Sequence, residues 1–444
     1  MEVLPRSMSY LSTKKISLQV KDRPKGLSRN VGGWMSFLVI LLVFSSCVEI
    51  AQPYDKIPPG LWRAELELSD EDVLPFNFEV SYDDNDELLV EIINAEERIP
   101  VSDISFGMTK DLQDTIVMSF PLMDSYITAT YKENILDGTW HVNNREDYDI
   151  PFEAYFGQGH RFTTDREVPK QDLTGTWEAT FELETEDEYP AIGEFEQKGN
   201  FLYGTFRTET GDYRYLQGSV QGDKFFLSAF DGGHAFLFKG EISSQDLLVG
   251  SFVSGSHYKT NWVARPNPEA TLTSEYALSQ ITTPDKKISF SLPNQDGDIV
   301  SLDDPAYQGK AKLITIMGTW CPNCLDEAHF LIDYAENNDM GNIEIIGLAF
   351  EKYRDRAKAT ERIKEYKDRL GIPYDLLLAG YYDKVEATKS LGWIDEIISY
   401  PTLLFVNKEN QVIEVHTGFN GPATSKYASF VDQFDELMAQ LSSN

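Results

Sequence analysis

Cysteine is scarce in this chain, with 3 in 444 residues, and histidine is not much commoner, with 6. A structural zinc site needs about four ligands. Cys321 and Cys324 have no second pair to join them, and His141, His160, His234, His257, His329 and His416 are scattered without ligand spacing. That excludes a zinc ribbon or finger, and neither a metal nor a cofactor is expected. Cations are also in deficit, 39 Lys and Arg against 72 Asp and Glu, for a formal charge of −33. A chain so acidic is a poor direct ligand for nucleic acid or for anionic lipid headgroups.

The apolar run 34–44 is too short for the roughly 20 residues of a spanning helix. It suits the h-region of a signal peptide, about 7–15 residues. Arg6, Lys14, Lys15, Lys21, Arg23, Lys25 and Arg29 precede it against only Glu2 and Asp22, a positive but long n-region that leaves Met8 and Met35 open as alternative starts. Ser45, Ser46 and Cys47 follow. Small residues and then cysteine resemble a bacterial lipobox, although Phe44 stands where an aliphatic is usual. The resemblance implies that residues 1–46 are removed and that Cys47 becomes the lipidated first residue, anchoring an exported protein in the bacterial cell envelope. An ordinary signal peptide is the alternative.

The other two cysteines form Trp320-Cys321-Pro322-Asn323-Cys324, directly after the apolar run 313–317. A thiol attacks only as the thiolate, and a cysteine at a helix N-terminus is stabilised as the anion by free N–H groups and the helix dipole. Cys321 is therefore read as the attacking sulfur, exposed at the open end of the helix. Cys324, one turn later, is the shielded sulfur that resolves the mixed disulfide.

The first two-thirds of the chain contain a repeat. Gly60, Trp62, Ala64, Glu67 and Leu68 match Gly175, Trp177, Ala179, Glu182 and Leu183. Gly138 and Trp140 answer Gly250 and Phe252, and Tyr148, Phe152 and Ala154 answer Tyr258, Trp262 and Ala264, in order and at nearly constant offset. Short alternating runs broken by Asp-Gly and Gly-Asp turns predict two all-β antiparallel modules, each a sandwich or small barrel, over 47–166 and 170–266. The Gly-x-Trp opening is similar to that of lipocalin-like barrels. A Pro-containing polar linker, 267–283, leads to an α/β domain over 284–444 with strands at 288–292, 313–317, 343–350, 374–378, 402–406 and 412–416 and helices at 325–337, 357–370, 385–391 and 426–441. A fragment beginning near Thr283 is expected to fold alone.

Residues 284–444 resemble the thioredoxin-like thiol-disulfide oxidoreductases of the TlpA/ResA type, close to the AhpC/TSA group. The resemblance rests on the entry segment Phe290 to Pro293 with Asp296 and Gly297, the Trp-Cys-Pro-Asn-Cys motif, Glu327 three residues beyond Cys324, Tyr400-Pro401-Thr402 before an apolar strand, and the segment from Gly418 to Pro422. It implies that Pro401 is a cis-proline facing the dithiol, with Tyr400, Pro401, Trp320 and Pro322 forming the substrate surface. Glu327, on the same side of the helix as Cys324, would serve its proton transfer. His329 stands where the family commonly has proline, and five positions from Cys324 it falls on another face.

The expected activity is thiol-disulfide exchange on envelope proteins carrying disulfides or dithiols. An unidentified electron donor completes the cycle. Reduction is the expected direction, with oxidation open because potential rather than motif decides it. The alternative makes the β modules the working part, binding a ligand or partner, with the redox domain accessory. A peroxidatic reading is disfavoured, because Thr319 stands only two residues before Cys321 and a resolving cysteine sits at C-x-x-C distance.

Overall fold

The computed structural model describes residues 57–444 apart from positions 86, 245 and 444. Cys47 and the leader therefore lie outside the described residues. No helix among the described residues is long and apolar enough to cross a membrane.

The first nine strands, from Gly60–Ser69 to Asp149–Phe156, form one antiparallel sheet. Every strand pairs with its chain neighbour except Glu97–Val101 and Asp103–Met108, and the last strand returns to pair with the first. The result is a meander rolled into a barrel and left open at one seam. The second module closes fully: Gly175–Phe181 pairs with both Tyr189–Lys198 and Tyr258–Pro266, and Tyr189–Lys198 also pairs with Phe201–Thr208. Of the two architectures the sequence allowed, the barrel is the one formed. Closure removes the unpaired edges that an antiparallel sheet otherwise exposes.

The repeat seen in the sequence is a repeat of contacts. Ala64 pairs with Ala154 across the first closure and Ala179 with Ala264 across the second. Trp62 and Trp177 are both buried, and each indole N–H donates to the carbonyl four residues earlier, at 3.2 Å to Pro58 and 2.9 Å to Leu173. A buried indole needs such a partner.

Neither interior resembles a ligand cup. In the first barrel the space among Phe76, Phe78, Met118, Phe120 and Phe152 is about 10 Å³, at the limit of holding one water. In the second, Phe181, Phe206, Phe238 and Trp262 fill the middle, with Phe206 and Phe238 stacked at 4.9 Å.

The barrels are also joined. Phe230 of the second, fully buried, lies 4.5 Å from the Phe76 ring and meets Phe120 and Trp140 edge-on at 5.8 and 5.1 Å. Beside it, Arg161 donates to Asn94, to the Ile93 carbonyl and to Ser228, which satisfies a guanidinium otherwise costly to bury.

The third domain has a five-stranded sheet in the order Asp375–Tyr381, Ile343–Glu351, Ala311–Met317, Thr402–Val406, Val412–Thr417. The first three strands run parallel, Thr402–Val406 runs antiparallel to them, and Val412–Thr417 pairs antiparallel with it. Ala311–Met317 and Thr402–Val406 are buried at every residue, as central strands covered on both faces must be. The helices are α1 (Pro322–Asn337), α2 (Arg356–Leu370), α3 (Lys384–Leu391) and α4 (Tyr427–Ser443). The strand expected at 288–292 is shorter and later, a hairpin of Ser291–Pro293 with Ile299–Ser301.

The stretch ahead of this domain lies against it. The Thr417 amide donates to the Glu275 carbonyl, Tyr276 packs edge-on to His416, Ser279 is fully buried, and the Thr282 amide donates to the Trp393 carbonyl. A cut at Thr283 leaves these contacts behind, and the described residues from 57 onward form one compact unit.

Phe230→Ala is expected to lower the stability of the whole chain by about 3–5 kcal/mol, the usual cost of emptying a buried phenylalanine site. Urea unfolding with tryptophan fluorescence measures it. A loss below about 1 kcal/mol would show that the barrels do not share this core.

Candidate active site

Strand Ala311–Met317 delivers the chain to Gly318, where a Cβ would lie 2.4 Å from Trp320 Nε1. Glycine is what lets the tryptophan fold back there. Trp320 donates to the Phe350 carbonyl at 2.8 Å and stands edge-on to Tyr382 and Tyr400 at 5.4 and 5.5 Å. Helix α1 then begins with Pro322 in the first turn, where its missing N–H costs nothing.

Cys321 is the N-cap of α1, with extended backbone, and its Sγ accepts the Cys324 amide at 3.2 Å. The sulfur occupies the place a Ser or Asp oxygen takes at other helix starts. It also lies 3.3 Å from the Tyr400 carbonyl. Both thiols are free. Cys321 is not exposed as expected: it is 5% exposed, against 1% for Cys324. The reason is that Tyr400 and the neighbouring walls close over the helix end. Burial pushes the Cys324 thiol well above its ordinary range, and the Cys321 sulfur beside it pushes the same way.

Glu327 lies on α1, 1% exposed, and its carboxyl is pushed up to about 8 by burial, only partly offset by the hydrogen bond from Thr315. Its Oε1 has no partner. It is within electrostatic reach of Cys324. The Tyr400–Pro401 bond is cis. Tyr400 is buried, with its hydroxyl donating to the Tyr382 carbonyl at 3.1 Å. Trp320, Tyr400, the dithiol and Glu327 thus come together, Pro322 is half-buried at the helix start, and His329 lies on the exposed face of α1.

Three groups of residues escaped the sequence reading. Glu351, 2% exposed, accepts the Thr319 amide at 3.0 Å and hydroxyl at 2.8 Å, and burial raises its carboxyl. The signal was an acid closing the wholly apolar run 345–350. Lys352 stands 4.9 Å over the Trp320 ring, within Coulomb range of Cys321, its ammonium pulled down to about 8 by burial. Arg214 of the second barrel forms a two-pronged ion pair with Asp326 of α1 at 2.9 and 3.0 Å. Asp326 was visible beside Glu327, but nothing local marks a partner 112 positions away. Among the described residues, no three His, Cys, Asp or Glu side chains converge as metal ligands.

The family match falls within this third domain. Residues 284–415 match the AhpC/TSA family model. The chain is 26% identical to the thiol-disulfide oxidoreductase ResA of Halalkalibacterium halodurans over 158 residues, 35% of this chain and 76% of the relative. It is 33% identical to the thiol:disulfide interchange protein DsbE of Vibrio cholerae over 72 residues, 16% of this chain and 34% of the relative. Among solved structures it is similar to a thiol:disulfide interchange protein of the thioredoxin family from Chlorobium tepidum, 21% identical over 37% of this chain and 99% of that one, with a TM-score of 0.26.

Two outcomes follow from the electrostatics. Alkylation of the reduced protein near neutral pH is expected at Cys321 before Cys324, read by peptide mass mapping; preferential labelling of Cys324 would reverse the assignment. The raised pKa of Glu327 means that its contribution to stability is complete below the ordinary 4.5 and is lost as pH rises through about 8. Glu327→Gln is therefore expected to be more stable than the parent at about pH 9, by on the order of 1–3 kcal/mol, with the gap closing towards about pH 5. Urea midpoints across that range decide it, and a gap independent of pH would contradict a buried, neutral acid.

Proposed function

We propose, on the premise that residues 284–415 carry a TlpA/ResA-type thiol-disulfide oxidoreductase domain of the AhpC/TSA family, that the protein reduces disulfides of envelope proteins through Cys321 and Cys324. The observation that carries the reading is the Cys321 sulfur at the N-cap of α1, holding the Cys324 amide, with a neutral buried acid next to its partner.

The Cys321 thiolate attacks one sulfur of the substrate disulfide. That S–S bond breaks, and the departing thiolate takes a proton from solvent. A mixed disulfide to Cys321 remains. Cys324 then loses its proton, attacks the Cys321 sulfur, and releases the second substrate thiol, so the substrate gains two electrons and the pair becomes a disulfide. A buried thiol whose anion is disfavoured needs a nearby acceptor at that moment; the Glu327 carboxylate takes that proton once it has given up its own, and a group titrating at about 8 exchanges protons readily near neutral pH. An external dithiol donor restores the reduced pair. In this reading the incoming chain meets the half-buried Trp320 and Pro322, with the buried Tyr400 and Pro401 directly behind the contact.

The leader and Cys47 support export and lipid anchoring in the envelope, where disulfides persist. The proposed organisation is a leader over 1–46, barrels over 47–166 and 170–266, and a redox domain over 284–444 with the segment 267–283 laid along it. The filled barrel interiors argue against a ligand cup as the working part.

Cys324→Ala is expected to accumulate a mixed disulfide in the native envelope, identified by mass spectrometry, while Cys321→Ala traps nothing. Equal trapping by both would count against this order of events. Glu327→Gln is expected to slow resolution by roughly 10-fold to 100-fold. An unchanged rate and pH profile would leave Glu327 without a role in proton transfer.

A further inference from the structure

The second barrel does more than stand beside the redox domain. Between strands Phe201–Thr208 and Leu216–Gln221 the chain leaves the barrel as a narrow hairpin whose return strand is Gly211–Asp212. Its tip lies on the rim of the dithiol. The Thr210 carbonyl accepts the Ser399 hydroxyl at 2.9 Å, one residue from Tyr400, whose own carbonyl lies 3.3 Å from the Cys321 sulfur. Gly211 presses on Asn323, inside the C-x-x-C: a Cβ there would lie 1.9 Å from Asn323 Nδ2 and 3.1 Å from the Phe419 carbonyl. Gly418 meets the other side of the tip, where a Cβ would lie 2.8 Å from the Thr210 carbonyl carbon. Both glycines have positive φ, +141° and +81°. The hairpin therefore touches both segments that border the attacking sulfur, through its own main chain.

The anchoring shows a fixed wall rather than a lid. Behind the tip, Arg214 grips Asp326 of α1 through both carboxylate oxygens and also pairs with Glu97 of the first barrel. Asp212 accepts the Gly421 amide at 2.6 Å and the Arg214 amide at 2.6 Å. Ser425 donates its amide and its hydroxyl to Glu194, both at 2.8 Å. Apart from Ser425, which is exposed, these residues are buried or half-buried. Such a network holds its geometry only while every member keeps its partner.

We propose, resting on the exchange reading above, that the hairpin Thr208–Arg214 is a specificity-determining wall of the dithiol site. It admits disulfides on small molecules or on flexible, protruding segments and obstructs those set in the flat surface of a folded protein. Discrimination of this kind comes from a built-in clash with the wrong partner rather than from a new attraction to the right one.

The test uses the full-length reduced protein and one aromatic disulfide presented in two ways, free in solution and attached to the surface of a folded carrier protein. The parent is expected to strongly prefer the free form. Gly211→Val, acting from the hairpin side, and Gly418→Ala, acting from the redox-domain side, each place a Cβ where it forces the tip away from the rim. Each is expected to raise the ratio of carrier to free exchange rates by about tenfold, since removing a steric clash releases the disfavoured substrate selectively. Using a ratio cancels any change in sulfur reactivity, and two variants from opposite sides guard against one that does not fold. If the parent exchanges with both forms and neither folded variant moves the ratio, the wall is overturned while the exchange reading stands. If the parent exchanges with neither form, the exchange reading falls and the wall with it.

Discussion

One contact at the start of α1, the Cys324 amide held by the Cys321 sulfur, is the feature around which the dithiol is arranged. The strand that delivers it is buried at all seven positions, Lys312 and Thr315 included. In such surroundings an anion survives only where N–H groups converge. The helix start supplies one through the Cys324 amide, and the same low dielectric that makes this donor effective keeps Cys324 and Glu327 neutral. The contrast between the two cysteines is thus a contrast of position along a few ångströms of helix.

The supporting acids show how burial outweighs sequence neighbourhood. Asp326 and Glu327 are adjacent, yet one faces Arg214 of another domain and the other faces Thr315 beneath the helix. Both carboxyls are pushed up by burial, Asp326 to about 7 in spite of its arginine. Glu351 closes the other flank by holding Thr319 through two hydrogen bonds, which fixes the turn that carries Trp320. The loop is therefore held on each side by an acid in a setting where ionisation is disfavoured.

Much of this was legible in the residues. The spacing of Cys321, Cys324 and Glu327 is local, and local spacing on a helix determines which side chains share a face. The repeat was legible too, because Trp62 and Trp177 perform the same task with the same four-residue reach. What could not be read was every contact that crosses between domains. Arg214 and Asp326, Thr210 and Ser399, and Phe230 and Phe76 are each separated by more than a hundred positions, and none carries a periodic or motif signature. Cys321 was placed correctly on the helix dipole but wrongly in exposure for the same reason, since the covering groups come from distant segments. That aromatic rings fill both barrel interiors was likewise not legible, because the fill depends on how the strands close.

Phe230 also imposes an order on biosynthesis. The first barrel ends with the strand Asp149–Phe156, but the ring that completes its core arrives only with the strand Lys224–Phe230. A chain made from its N-terminus exposes Phe76, Phe120 and Trp140 to water for as long as it takes to complete the intervening stretch. The first barrel to emerge therefore cannot finish packing until much of the second has been made. That makes the interval before Phe230 appears the period in which a nascent chain would most need a chaperone.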